Sequence, residues 1–286
     1  MRVFASVCFS AWALAGFAVP AFAEDPTFDL SIEATGATDG FDSGITYTDH
    51  GVATTFSLTP SYGIFYATLY GENLDYGSDI PPATVKLSAG MTPTFGDLSV
   101  DFNLQRRYKL QDPASDRWLP YVTGTYVFSD ILSTSAGVGY YAFDDKDSSD
   151  FVELYGALDL TVGEGILLHG ETSYDINSEV NDINPAAGNN DYLELIGSIT
   201  VPLPQRFEAL AKVGFENYLG QTDVASYVWY DLGLAYNVSD HVALAVTYHG
   251  NDLGSGADCD TQAYTDCDER VVGSFTLKGS LSEFSK

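Results

Sequence analysis

The residues able to do chemistry are few and mostly acidic. The chain carries four histidines, three cysteines, and 40 aspartates and glutamates against 12 lysines and arginines. His169, Glu171 and Ser173 follow one another at a spacing of two, which in an extended segment puts all three on one face. A hydrolase would use that order to hold an oriented base beside a serine nucleophile. The same spacing arises along any polar strand face. No Gly-x-Ser-x-Gly turn, metal-type histidine cluster or phosphate-cradling glycine loop accompanies it. His169 is therefore read as a polar-face residue and the chain as no enzyme, with no catalytic residue, metal or cofactor assigned. A hydrolase is the most remote of three functional readings.

The carboxylates are spread along the chain rather than gathered into one motif. Asp145-x-Asp147-x-Ser149 opens like a calcium loop, but it lacks the glycine at the sixth position and the glutamate at the twelfth, so a solvated loop is the better reading. The net charge of −28 excludes nucleic acid as a partner, since that interface needs a basic surface. It repels anions and attracts cations. Cys259 and Cys267, with seven residues between them, have no zinc-type spacing and no histidine near them. In an exported chain they are expected to form a disulfide.

Strands must position these residues. Leu98, Val100, Phe102 and Leu104 alternate with Ser99, Asp101, Asn103 and Gln105, and Arg107 continues the polar column. Val152, Leu154, Leu158 and Leu160 oppose Glu153, Tyr155 and Asp159; Leu193, Leu195, Ile199 and Val201 oppose Glu194, Ser198 and Thr200. A period of two puts each set on one sheet face. About fourteen such segments are predicted, starting near Phe28, Ala53, Ile64, Ala83, Asp97, Trp118, Leu132, Asp150, Ile166, Tyr192, Phe207, Tyr227, His241 and Arg270. Short turns such as Phe95-Gly96-Asp97 and Gly163-Glu164-Gly165 alternate with longer acidic connections such as 39–50 and 251–269.

Regular alternation of short and long connections fits an up-and-down antiparallel transmembrane β-barrel better than a Greek-key sandwich. The N-terminus agrees: Met1-Arg2, an apolar stretch to Phe22 and the small-x-small site Ala21-Phe22-Ala23 read as a signal peptide over 1–23. Residues 24–286 then form a single barrel domain. Loss of Arg2 alone takes the net charge from −28 to −29. No later run approaches the ~20 apolar residues of a spanning helix, whereas a barrel strand needs only about 9–11.

The apolar columns are nearly free of charge, as lipid requires, and the opposite columns hold ionisable residues that a dry core would not accept unpaired. Lys86, Asp101, Arg107, Glu153, Asp159, His169, Glu171, Glu194, Lys212 and Asp231 are the expected pore-lining residues. An acidic excess in an open lumen favours cations. The first functional reading is an outer-membrane channel for passive diffusion of small cationic or neutral solutes. The second is a closed structural or surface-binding barrel with divalent ions on its acidic loops.

Several segments resemble TorF-type porins, an outer-membrane family. They are Gly44-Ile45-Thr46-Tyr47-Thr48-Asp49-His50-Gly51, Gly63-Ile64-Phe65-Tyr66-Ala67, Asp191-Tyr192-Leu193-Glu194-Leu195 running into Val201-Pro202-Leu203-Pro204, and Cys267-Asp268-Glu269-Arg270-Val271-Val272. The resemblance implies a porin-like role in a Gram-negative outer membrane. Lipid, lipopolysaccharide, the barrel-assembly machinery and small solutes are then the expected partners. The hairpin from Trp118 to Ala142 is additional to the family pattern, which makes twelve strands the alternative count. The chain also ends on Phe284-Ser285-Lys286 rather than on an aromatic.

Overall fold

The computed structural model describes residues 27–48, 51–73, 83–110, 116–145, 150–176, 191–219, 226–253 and 267–284. The expected leader, His50, Asp147 and Cys259 lie outside the described residues. In chain order the strands are β1 (Phe28–Ala37), β2 (Phe41–Asp42), β3 (Ile45–Thr46), β4 (Ala53–Tyr62), β5 (Phe65–Asn73), β6 (Ala83–Met91), β7 (Thr94–Phe95), β8 (Leu98–Lys109) and β9 (Arg117–Ser129). They continue with β10 (Leu132–Phe143), β11 (Phe151–Val162), β12 (Ile166–Ile176), β13 (Asp191–Pro202), β14 (Phe207–Leu219), β15 (Tyr227–Ser239), β16 (Val242–Asn251) and β17 (Arg270–Ser280).

Fourteen of these are long. Each long strand pairs antiparallel with its neighbour in sequence, and β1 pairs with β17 to close the ring. β7 is only a lip on the turn before β8. Closure matters physically because it leaves no backbone edge to satisfy in hydrocarbon. A turn of helix at Leu281–Phe284 secures the seam, where the Ser282 amide and hydroxyl each donate to the Asp29 carboxylate at 3.0 Å.

The six tight reversals and the seven longer connections lie at opposite ends of the barrel. The sequence Pro60-Ser61-Tyr62-Gly63 predicts the first reversal at Pro60. Instead β4 continues to Tyr62 and the turn shortens to Gly63-Ile64. The β4–β5 ladder skips Thr59 and Pro60, and a hydroxyl bond between Thr59 and Thr68 (3.0 Å) bridges the gap. Proline has no N–H to give to a ladder, so the pairing lapses there rather than the strand.

The outward columns are apolar and exposed: Leu104, Leu158, Leu232 and Val246 are each about half accessible. Aromatic residues ring both ends of this belt. Phe28, Tyr62, Phe65, Phe95 and Phe128 lie at the short-turn end, and Tyr108, Trp118, Tyr140, Tyr230 and Tyr248 at the long-loop end. At the long-loop end the tyrosine hydroxyls find acceptors in the acidic loops: Tyr140 donates to Asp150 (2.6 Å), Tyr174 to Asp191, and Tyr230 (2.8 Å) and Tyr248 to Glu269. Part of the loop acidity thus anchors the amphipathic girdle, where apolar rings meet water.

One cation breaks the outward apolar pattern. Arg106 lies on the outward column of β8 at its loop end, pairs with Asp144 (Nη1 to Oδ1, 2.7 Å), and sits between the rings of Tyr108 and Trp118 at 4.9 and 5.2 Å. Asp144 lies beyond the strand end, and the hydrogen bond from Arg106 holds its carboxyl below the usual range. A guanidinium is tolerable there because its stem crosses the belt while its head reaches the interface.

Candidate functional site: the barrel interior and an inward hairpin

Inside the ring, the ten residues expected to line a pore all stand on inward columns. Lys86 is on β6; Asp101 and Arg107 on β8; Glu153 and Asp159 on β11; His169 and Glu171 on β12; Glu194 on β13; Lys212 on β14; and Asp231 on β15. The fold brings some of them together. His169 Nδ1 lies 2.7 Å from Asp159 Oδ1 and its Nε2 lies 3.2 Å from Glu171 Oε2. Both ring nitrogens thus face carboxylates and neither faces Ser173, so the hydrolase geometry does not form. Asp231 pairs across strands with Lys212 on one side and holds His249 Nδ1 at 2.6 Å on the other. Asp101 accepts from the Tyr66 hydroxyl (2.8 Å) lower in the barrel.

Toward the long-loop end, several like charges stand side by side on the wall. Lys86, Arg107 and Arg117 are direct cross-strand neighbours on β6, β8 and β9. Glu153 and Asp175 are neighbours on β11 and β12, and Glu194 and Glu216 on β13 and β14. Three basic residues therefore form one ladder and two acidic pairs stand on the adjoining strands, while Lys212 beside Asp231 and Asp101 on the strand of Arg107 mix the signs elsewhere. Arg117 is within electrostatic reach of Glu153 and Asp175, where the two groups meet. Strand register brings these residues together, so their spacing in sequence carries no sign of these pairings.

The connection between β1 and β4 folds inward, which sequence patterning did not reveal. β2 and β3 form a two-residue hairpin closed by Ser43 and Gly44, whose φ values of 50° and 74° are the left-handed pair such a turn requires. Asp39 organises its base, accepting from the Gly40 amide (2.8 Å), the Thr46 hydroxyl (2.7 Å) and the Thr48 hydroxyl (2.6 Å). Arg270 reaches the other Asp39 oxygen at 3.7 Å.

The hairpin is seated against β13 to β16. Ile45 packs in a cluster with Tyr192, Tyr218, Tyr227, Trp229, Leu253 and Cys267. Phe41 stacks on His249 with ring centres 4.6 Å apart. Asn251 donates to the Gly44 carbonyl (2.7 Å), and the Ser43 hydroxyl donates to Glu194 (3.4 Å). Trp229, 1% exposed, lies flat over Gly214, where any Cβ would stand 2.1 Å from the indole, and Lys212 Nζ sits 4.6 Å above its ring.

Asp42 brings a third carboxylate to Glu194 and Glu216. Its Oδ1 is sealed from solvent without a hydrogen bond. Burial pushes the Asp42 carboxyl well above the usual range; Glu194 and Glu216 push the same way and Lys212 opposes them. Among the described residues no group of histidine, cysteine and carboxylate side chains is arranged to hold a metal ion.

Sequence reasoning missed this hairpin, although Ser43-Gly44 between Phe41-Asp42 and Ile45-Thr46 is a recognisable turn dipeptide. Arg117, one residue before the expected strand start at Trp118, opens β9 and belongs to the wall.

No protein-family model matches the chain, and no curated protein matches it in sequence. Solved structures do match in shape. A monoaromatic hydrocarbon channel, CymD, superimposes with a TM-score of 0.54 at 10% identity, covering 90% of this chain and 89% of that one. A porin refined at 1.8 Å gives 0.53 at 12% identity, covering 89% and 100%. The outer-membrane channel DcaP of Acinetobacter baumannii gives 0.51 at 12% identity, covering 91% and 100%. With its closed wall, exposed apolar belt and aromatic girdles, the chain has the fold of a bacterial outer-membrane β-barrel and belongs in that membrane.

Proposed function

We propose that this chain is a porin-like channel of the TorF type for passive diffusion of small cationic or neutral solutes. The observation that carries the reading is a closed wall whose inward face bears ionisable side chains of both signs, with acids prevailing on β11 to β14. Such groups are stable inside a membrane barrel only beside water or partners. The inward hairpin narrows the passage on the β13 to β16 side, where it covers Glu194 and Glu216. The same reading takes 1–23 as a cleaved leader, 24–286 as the barrel, and Cys259–Cys267 as a disulfide closing the last long loop. Insertion by the barrel-assembly machinery beside lipopolysaccharide completes it.

A second reading, a closed structural barrel, is favoured by the burial of Lys86, Arg107, Glu194 and Glu216. Planar-bilayer recording separates the two. Discrete potassium chloride currents support the channel, and a folded, inserted protein that passes no current refutes it. The reversal potential in a salt gradient tests the charge preference, and an anion-selective sign refutes the cationic part.

A further inference from the structure

The residues that begin and end the last long connection hold the inward hairpin at three places. At its tip, Asn251, 7% exposed, donates through Nδ2 to the Gly44 carbonyl (2.7 Å) and the Cys267 carbonyl (3.2 Å), and its Oδ1 accepts from the Leu253 amide (3.1 Å). Around Ile45, Leu253 and Cys267 supply part of the buried cluster. At the base, Arg270 stands 3.7 Å from Asp39. Beside it the Thr38 amide donates to the Gly273 carbonyl (2.9 Å), and the Gly273 amide to the Thr38 hydroxyl (3.1 Å). Pairing of β1 with β17 makes the first and last long connections neighbours. The hairpin is otherwise a separate body: among the described residues, β2 and β3 pair with each other and with no strand of the wall.

These contacts converge on Asn251. Its orientation is set from the side of the connection: the Leu253 amide needs the oxygen, and the Cys267 carbonyl needs the nitrogen. Turned over, the amide would point its oxygen at two carbonyls and withdraw its donor from Gly44. A buried acceptor that loses its donor is costly, so the hairpin keeps its seat while Leu253 and Cys267 hold the amide in line. Asp252 ties the start of the connection to β15, its amide donating to the Val228 carbonyl (2.9 Å) and its Oδ1 accepting from the Val228 amide (2.8 Å). We propose that Asn251 is a latch through which the last long connection holds the inward hairpin across the passage, so that displacing the connection from the long-loop side releases the hairpin. The hairpin is then a gate worked from the long-loop face of the membrane. Its effect on solute flow rests on the channel reading, whereas the latch itself does not.

Trp229, 1% exposed and packed against the hairpin, reports on the seat. In the full-length protein carrying Trp12→Phe and Trp118→Phe it is the single indole. Asn251→Asp keeps the oxygen facing Leu253 but loses both donations, and should raise acrylamide quenching of Trp229 at least threefold. Asn251→Leu, close in volume and uncharged, should do the same. Ser133→Ala, at the short-turn end of β10, should change nothing. Coupling is reciprocal, so Gly44→Ala, which unseats the hairpin, should speed hydrogen exchange of the Leu253 amide at least tenfold. Unchanged quenching in the Asn251 variants that keep heat-modifiable migration overturns the latch. Leu253 exchange unaffected by Gly44→Ala overturns its link to the connection. In planar bilayers the Asn251 variants should lengthen or enlarge openings, and raised quenching with wild-type currents overturns the gate. If no current flows from protein that shows heat-modifiable migration, the channel reading fails alone, and quenching and exchange still decide the latch.

Discussion

Gly44→Ala tests whether the inward hairpin is held by close fit. At φ 74° a non-glycine residue is strained, which costs about 1–3 kcal/mol. The added methyl would stand 2.7 Å from Trp229 Cβ and 2.8 Å from the Gly250 carbonyl oxygen. Neither is the flexible end of a side chain, so the backbone of the hairpin must move. Overpacking of this kind costs another ~1–3 kcal/mol. The two together weaken seating by about 2–6 kcal/mol, and at ~1.4 kcal/mol per factor of ten the unseated fraction rises at least about 30-fold. The hydrogen bond from Asn251 to the Gly44 carbonyl lengthens with the same movement. The wall strands are untouched, so heat-modifiable migration should persist. Single-channel recording should show longer or larger openings in the variant. Conductance and open-time distributions identical to wild type would refute the claim that the hairpin is seated by contact with β15 and β16.

Three further outcomes follow from the same geometry. Because the seated hairpin raises the Asp42 carboxyl, the seated state binds a proton more tightly than the released one. Seating should therefore strengthen as pH falls and weaken as pH rises through the raised value. Conductance should accordingly increase from acid to neutral pH in wild type but change less in Asp42→Asn, and an opposite trend would reverse the sign. Ile45→Ala removes a side chain only 4% exposed from the aromatic cluster and should weaken seating by about 2–5 kcal/mol, measured as faster proteolysis of the 38–52 segment in folded barrels. Leu158→Arg places a charge on the exposed apolar belt and should destabilise the barrel by about 2–4 kcal/mol in urea unfolding from lipid vesicles, whereas Thr161→Arg on the inward face should cost far less.

The strand starts were legible to within a residue of their positions in the fold. Asp97 against Leu98 and His241 against Val242 are typical of the offsets. The reason is local: a strand with lipid on one side and polar groups on the other must alternate, and its tight reversals need glycine, aspartate or serine. The same alternation places Lys86, Glu153, His169 and Asp231 on one face of their strands without any knowledge of the fold. The order of loop lengths then implies up-and-down pairing, and fourteen strands rather than twelve because the 117–143 hairpin pairs into the wall like any other.

What alternation leaves undetermined is everything that depends on register and on loops. Lys86, Arg107 and Arg117 are separated in sequence by different intervals, so only the ladder pairings make them neighbours. Arg106 carries the same charge as Arg107, yet one residue of pleat sends it out to Tyr108, Trp118 and Asp144. The 38–48 segment has no long alternation to advertise its path. Its inward course is fixed by Ile45 in a pocket of β13 to β15 side chains and by Asn251 on the Gly44 carbonyl, contacts made across more than a hundred residues of chain. The sequence by itself determines a lipid-facing barrel, because that choice is written in every strand. Only the tertiary structure decides which charges meet in the interior and where the returning loop seats, because those features arise where distant strands and that loop meet.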